Sequence, residues 1–154
     1  LCTARRKGEH RLYLLTKLFA TTGLPLQCLP QVTVALVQAG HGTARCRGSD
    51  LPFTLAPAFR QELLDYCREQ CLAAGPVFVS SRGRTINRSN LCRSMQELCR
   101  DAGVDEAKGN PRALRSLYQA TQADIQARMD LLLRQAYDQL LQTEQTTAGW
   151  EEGA

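Results

Sequence analysis

A chain of 154 residues, 44% apolar and 22% charged, has the make-up of one compact domain long enough to bury a core. No apolar run approaches the ~20 residues of a membrane span, and no charged-then-apolar leader opens the chain, so a soluble cytoplasmic protein with no membrane partner is expected. The net charge of +4 is unevenly spread: residues 1–93 hold 13 Lys/Arg against 5 Asp/Glu, a net of +8, whereas residues 94–154 hold 6 against 10, a net of −4. A basic front half suits a polyanion-binding surface as well as a solvated one.

The opening Leu1-Cys2-Thr3 lacks a Met and reads as an excised or processed domain. From Glu9 to Thr21, Leu12, Leu15 and Phe19 fall at helical spacing, with Leu14 and Leu18 beside them and Gly23 as the stop. Pro25 and Pro30 leave room for one helical turn at most, Pro25 suiting its first position. Val32–Val37 is short and β-branched and predicts a strand. Gln38–Gly42 then supplies a turn, Thr43–Arg47 a second strand, Gly48–Asp50 another turn, and Leu51–Leu55 a third strand that Pro52 marks as an edge. A small three-stranded antiparallel meander is thus expected, with the rest of the chain mostly helical.

Pro57 opens a helix through Phe59, Leu63, Tyr66, Cys67 and Cys71, closed by Gly75-Pro76. Val77–Val79 is a brief extended piece and Ser80–Arg84 a polar, basic loop. Asn87 caps a helix to about Asp101, with Leu91, Met95, Leu98 and Cys99 inward and Gly103 after it. Lys108–Pro111 breaks the chain, after which Arg112–Tyr118 and Ala123–Leu141 read as two further helices. Gln142–Ala154 reads as a frayed or partner-binding tail around Trp150. The fold class is mainly α with a small sheet; residues 1–141 form the domain and 142–154 the tail.

Seven cysteines, an odd number without a Cys-x-x-Cys pair, predict free thiols. Cys67 and Cys71 share a helical face at i, i+4, but nothing nearby completes a metal set, and no metal or cofactor is expected.

Several short stretches, taken in order, carry a resemblance. They are Thr22-Gly23-Leu24, Gly75-Pro76-Val77-Phe78-Val79 followed by Gly83 and Asn87-Arg88-Ser89-Asn90, Leu98-Cys99 with Ala102-Gly103-Val104, and Pro111-Arg112-Ala113-Leu114-Arg115. Their order and spacing over about residues 8 to 143 resemble the catalytic domain of the tyrosine recombinase (phage integrase) family. The resemblance implies a DNA-integration and DNA-recombination fold from a mobile element, and double-stranded DNA as partner. A homo-oligomer on DNA is an arrangement the family admits. The family's amino-terminal DNA-clamping domain would precede Leu1, so this chain holds half a grip.

In this family a tyrosine attacks a backbone phosphate without a metal, two arginines hold the transition state, histidines assist, and a lysine protonates the departing oxygen. By resemblance the first arginine falls at Pro25, the lysine at Arg47, the histidine before the second arginine at Arg112, and the second arginine at Arg115, which is kept. Ser116 stands where many relatives carry another histidine. The late Leu-Gly-His turn falls at Leu132-Leu133-Arg134, and the tyrosine at Thr143. A guanidinium, with a pKa above ~12, keeps the positive charge but is a poor proton donor at neutral pH. An aliphatic hydroxyl is far less acidic than a phenol near pKa ~10 and is harder to activate.

The pattern implies a degenerate active site that holds phosphate without cleaving DNA. Two alternatives stand beside it: a divergent active recombinase using Tyr137, and a protein-interaction domain that has lost DNA contact. Arg82, Arg84, Arg88 and Arg93 flank a loop and helix start suited to phosphates or to solvent. Arg5-Arg6-Lys7 are either DNA contacts or a basic end, and His10 and His41 fall outside every mapped position.

Overall fold

The computed structural model describes residues 1–149; Trp150 and the end of the expected tail lie outside the described residues. The elements run α1 (Cys2–Arg6), α2 (His10–Thr22), a 3-10 helix (Leu26–Gln31), α3 (Val34–Ala39), β1 (His41–Cys46), β2 (Ser49–Thr54), α4 (Pro57–Glu69), α5 (Arg88–Asp101), a short 3-10 turn (Glu106–Lys108) and α6 (Pro111–Thr147). The chain falls into two units, one ending at Tyr118 and one beginning at Gln119.

Helix α2 organises the first unit. Leu12, Tyr13, Leu14, Leu15, Leu18, Phe19 and Thr22 are all buried, so the helix is enclosed on nearly every side rather than along one stripe. Leu63 of α4, Leu91, Met95 and Leu98 of α5, and Val32, Val77 and Phe78 from the segments between belong to the same apolar cluster. A half-buried ion pair ties α2 to α4: Lys17 Nζ donates to Glu62 Oε1 at 2.9 Å and to Tyr13 Oη at 3.2 Å. Burial resists ionisation of Glu62, but the hydrogen bonds from Lys17 and Tyr13 outweigh it and hold the carboxyl below its ordinary value.

The expected three-stranded meander is a two-stranded hairpin. Val32–Val37 does not form its first strand. Thr33 accepts a hydrogen bond from the Leu36 N–H at 3.3 Å and caps a helix that Gly40 ends in the left-handed region at φ 80. Val34 and Val37, three residues apart, are the buried positions. A cap at one end, a left-handed glycine at the other and an apolar pair at helical spacing outweigh the weak β preference of the valines. The extended tendency survives only as a bridge of Thr33 with Pro76, where Val34 N donates to Gly75 O and Val77 N to Val32 O.

In the hairpin, Cys46 faces Ser49, leaving Arg47-Gly48 as a two-residue turn with φ values of 49 and 80. Two successive positive φ angles match the right-handed twist of the strands, the geometry of a type I′ turn. The turn therefore sits one residue earlier than the Gly48–Asp50 expected from composition. Gln31 holds the outer edge of β1: its Nε2 donates to Arg45 O and its Oε1 accepts from Arg45 N, both at 2.8 Å. One side-chain amide thus imitates a paired strand and fixes the hairpin to the 3-10 helix.

The remaining helices follow their caps. α4 ends at Glu69, and Cys71 lies beyond it at φ 55, exposed, while Cys67 is buried, so the two do not share a helical face. Asn87 Oδ1 accepts from Asn90 N at 3.2 Å and starts α5, which Gly103 follows at φ 68. Asn110 Oδ1 likewise accepts from Ala113 N at 2.8 Å ahead of α6. α6 is one helix to Thr147 where two were expected, and its residues 142–147 are helical rather than frayed. Asn110 supplies the start, and residues 112–146 contain no Gly or Pro to stop it. All seven cysteines are free thiols. No helix among the described residues is long and apolar enough to cross a membrane.

Two predictions follow from this packing. A Cβ built on Gly23 would lie 2.3 Å from the Tyr118 ring, and φ there is +65. Gly23→Ala should lower unfolding free energy in urea by about 2 kcal/mol, the sum of a left-handed backbone cost and a forced ring displacement. Burial first, and then the neighbouring Cys46 thiol, push the buried Cys28 thiol from 9.0 up to about 11. The folded state keeps this proton longer than the unfolded chain, so its contribution is intact below about pH 9 and is lost as pH rises through about 11. Burial raises Tyr66 and Cys67 in the same sense. The urea midpoint should fall across that window, and Cys28→Ala should flatten the fall.

Candidate nucleic-acid interface

The left-handed Gly23 lets the chain leave α2 sharply, and Pro25, extended at φ −68 and ψ 149, starts the 3-10 helix. Tyr118 of α6 covers Gly23 closely enough that no side chain fits between them. Three residues earlier, the half-buried Arg115 acts on Cys28 of the 3-10 helix: its positive charge opposes burial and favours the thiolate. The hairpin meets the same short helix from another side, through Gln31 and through Cys28 Sγ, 3.8 Å from Arg45 O.

Segment 25–31 is therefore a hub. The mapped first-arginine position, Pro25, begins it, and Arg115 lies one turn before the Tyr118 that covers Gly23. Arg47 stands exposed in the hairpin turn two residues past the Arg45 backbone that it holds. Arg112 is exposed one turn before Arg115 on α6, near enough in helical phase to face the same way. Pro25 itself is half-buried and offers neither charge nor donor.

Arg82 and Arg84 lie elsewhere. Their loop closes on itself, with Ser80 N donating to Arg84 O at 2.7 Å and Arg84 N to Ser80 Oγ at 3.1 Å, which leaves both side chains exposed. Arg11, at the start of α2, donates to Val79 O at 3.2 Å and anchors the loop there. Arg88 and Arg93 are exposed on the first turns of α5. The loop group and the Arg115 group thus lie toward opposite ends of α2, which at 1.5 Å per residue is about 20 Å long. They do not form one cluster.

Arg134 and Thr143 belong to the second unit and are both exposed on α6. The Thr143 hydroxyl donates to Gln139 O at 2.9 Å, a bond within its own helix. Tyr137 is 60% exposed within the same unbroken helix.

Charge neutralisation separates the basic residues into two sets. Lys7 pairs with Glu9 and Asp101, Lys17 with Glu62, Arg45 with Asp50, Arg68 with Asp65, Arg100 with Glu106 and Arg128 with Asp124. Among the described residues, none of Arg47, Arg82, Arg84, Arg88, Arg93, Arg112, Arg115 or Arg134 pairs with a carboxylate. A guanidinium without an internal counter-ion keeps its bidentate donors for an external anion.

One feature of the surface has no signal in the sequence. A cleft of about 650 Å³ opens between the start of α2, the end of α4 and α5, lined among others by His10, Arg11, Tyr66, Glu69, Asn90 and Glu97. His10 Nδ1 lies 3.4 Å from Glu69 Oε2, with its ring edge-on to Tyr66 at 5.6 Å. Residues from three distant stretches build this wall, so no local motif announces it. No group of three or more His, Cys, Asp or Glu gathers among the described residues in a way that could hold a metal ion.

Comparison with known proteins gives one kind of answer. No family model matches the chain, and no curated protein matches it. Among solved structures it is similar to one described as the crystal structure of XerA recombinase, at 21% identity and a TM-score of 0.61. That match covers 75% of this chain and 42% of the other, so the chain spans well under half of that recombinase. The fold is therefore recombinase-like, mainly helical with a two-stranded antiparallel sheet.

Proposed function

We propose that this chain is a recombinase-derived DNA-binding domain that holds the phosphate backbone and does not cut it. The observation that carries the reading is the set of arginines without carboxylate partners among the described residues, which includes every arginine that the recombinase resemblance assigns to a phosphate. Arg115 is the centre of the site, with Arg112 and Arg47 around segment 25–31. On the mapped positions Arg47, Arg112 and Arg134 replace residues that move protons with residues that only hold charge. Thr143 replaces the phenol, and its hydroxyl is engaged with Gln139 O. Losing one general acid or nucleophile costs ~10²–10⁴ in rate, and losing several leaves little beyond binding. The fold likeness to XerA recombinase supports duplex DNA as the ligand.

The test is titration of the full chain against a labelled duplex of arbitrary sequence over a range of salt, beside a strand-cleavage assay on a nicked, trappable duplex. Affinity should fall steeply with salt. Arg115→Ala and Arg47→Ala should each weaken binding about tenfold and flatten the salt slope. Arg100→Ala, which removes a guanidinium already paired with Glu106, should leave binding unchanged. No covalent adduct should form. Unchanged affinity in both arginine variants would defeat the phosphate site, and binding without salt dependence would favour a protein-interaction domain. An adduct on Tyr137 would establish a displaced nucleophile instead.

A further inference from the structure

We propose that Cys28 and Cys46 form a reversible disulfide that ties the 3-10 helix to β1, closed by a small-molecule disulfide such as oxidised glutathione. The structure is that of the reduced chain, in which all seven cysteines are free thiols. Gln31 sets its amide against both backbone groups of Arg45, at 2.8 Å each, and so marks the face of the 3-10 helix that meets β1. A 3-10 helix turns once every three residues, which places Cys28 on that same face. Its Sγ lies 3.8 Å from Arg45 O. Cys46 is the next residue along the strand, and Gln27 Nε2 donates to its Sγ. Side chains alternate along a strand, so Cys46 points to the same side as Ala44, which is buried. Gln27 and Cys28 therefore both reach the Cys46 side chain, and the two thiols are near enough to hydrogen-bond to each other.

Exposure sets the order of the two exchange steps. Cys46 is half-buried and open to a solute, whereas Cys28 is fully enclosed. The Cys46 thiolate attacks one sulfur of oxidised glutathione, that S–S bond breaks, and one glutathione leaves as its thiolate. Cys28 then gives its proton to solvent and attacks Cys46 Sγ, and the second glutathione leaves. The two protein thiols together lose two electrons and two protons, and one glutathione disulfide becomes two glutathione thiols. Burial opposes the Cys28 thiolate and the Arg115 charge favours it, so the guanidinium eases the second step. Once formed, the bond joins the segment that begins at Pro25 to the strand that ends at the Arg47-Gly48 turn. It forms without nucleic acid, so it stands or falls separately from the DNA-binding reading.

The test is incubation of the folded full chain, dilute and freed of nucleic acid, with oxidised glutathione, followed by an acid quench and peptide mapping without reductant. The expected product carries Cys28 linked to Cys46, with no glutathione on either, and dithiothreitol should return both thiols. In Cys46→Ser, the enclosed Cys28 should stay a free thiol under the same treatment. Unfolding in urea gives a second readout, because a crosslink restricts the unfolded chain. After oxidation the wild type should gain midpoint over Cys46→Ser, beyond any difference between the two when reduced. Glutathione retained on Cys46, both thiols left free, or Cys28 oxidised in Cys46→Ser would overturn the proposal. So would a midpoint that gains nothing from the oxidation.

Discussion

The first unit depends on the enclosure of α2. A helix buried on nearly all sides needs neighbours on nearly all sides, and the chain supplies them from every later segment up to Phe78 and from α5. Removing so much apolar surface from water is the dominant favourable term, and it leaves few polar choices inside. Among the described residues the one ion pair that enters is Lys17 with Glu62: the ammonium donates to Glu62 Oε1 and Tyr13 Oη and lies over the Tyr13 and Phe59 rings, while Glu62 Oε2 is buried without a hydrogen-bond partner. The arginines near the core surface behave in the same way. Arg60 binds the Val37 and Gln38 carbonyls, and Arg11 the Val79 carbonyl, so each stitches a loop to a helix.

Against that background the unpaired arginines are informative because the fold had means to neutralise them. Acidic residues are abundant in the chain's second half, yet the two nearest in sequence to a pairing arginine are used locally: Asp124 pairs with Arg128 and Glu106 with Arg100. The positive charge gathered around segment 25–31 is left to solvent or to an anion. Gln31 has a particular part here: its amide binds both backbone groups of Arg45 and thereby sets where the Arg47-Gly48 turn projects. Site geometry on this reading comes from a side chain with no charge and no chemistry of its own.

The two units differ in kind of surface. The first has an apolar core under a surface of net positive charge. The second is a single helix whose described residues are all exposed. The 29 exposed helical residues from 119 to 147 gain little from propensity alone.

The sequence by itself determined the helices whose apolar spacing, caps and stops agree. α2 with Gly23, α5 with Asn87 and Gly103, and the start of α4 at Pro57 were legible to within a residue or two, as was the free state of the cysteines, whereas α4 stops at Glu69, short of the expected Cys71 and Gly75-Pro76. The sequence also nominated the arginines, since guanidinium at so many mapped positions is a matter of residue type alone. Tertiary structure decided the rest. Val32–Val37 reads as a strand locally, but whether a strand forms depends on a partner edge, and only one bridge to Pro76 was offered while Thr33 and Gly40 stood ready to cap a helix. The split of the arginines between the two ends of α2 and the cleft beside His10 join residues far apart in the chain. Helical periodicity and capping are encoded within a few residues, whereas pairing, charge neutralisation and enclosure depend on what the rest of the chain brings alongside.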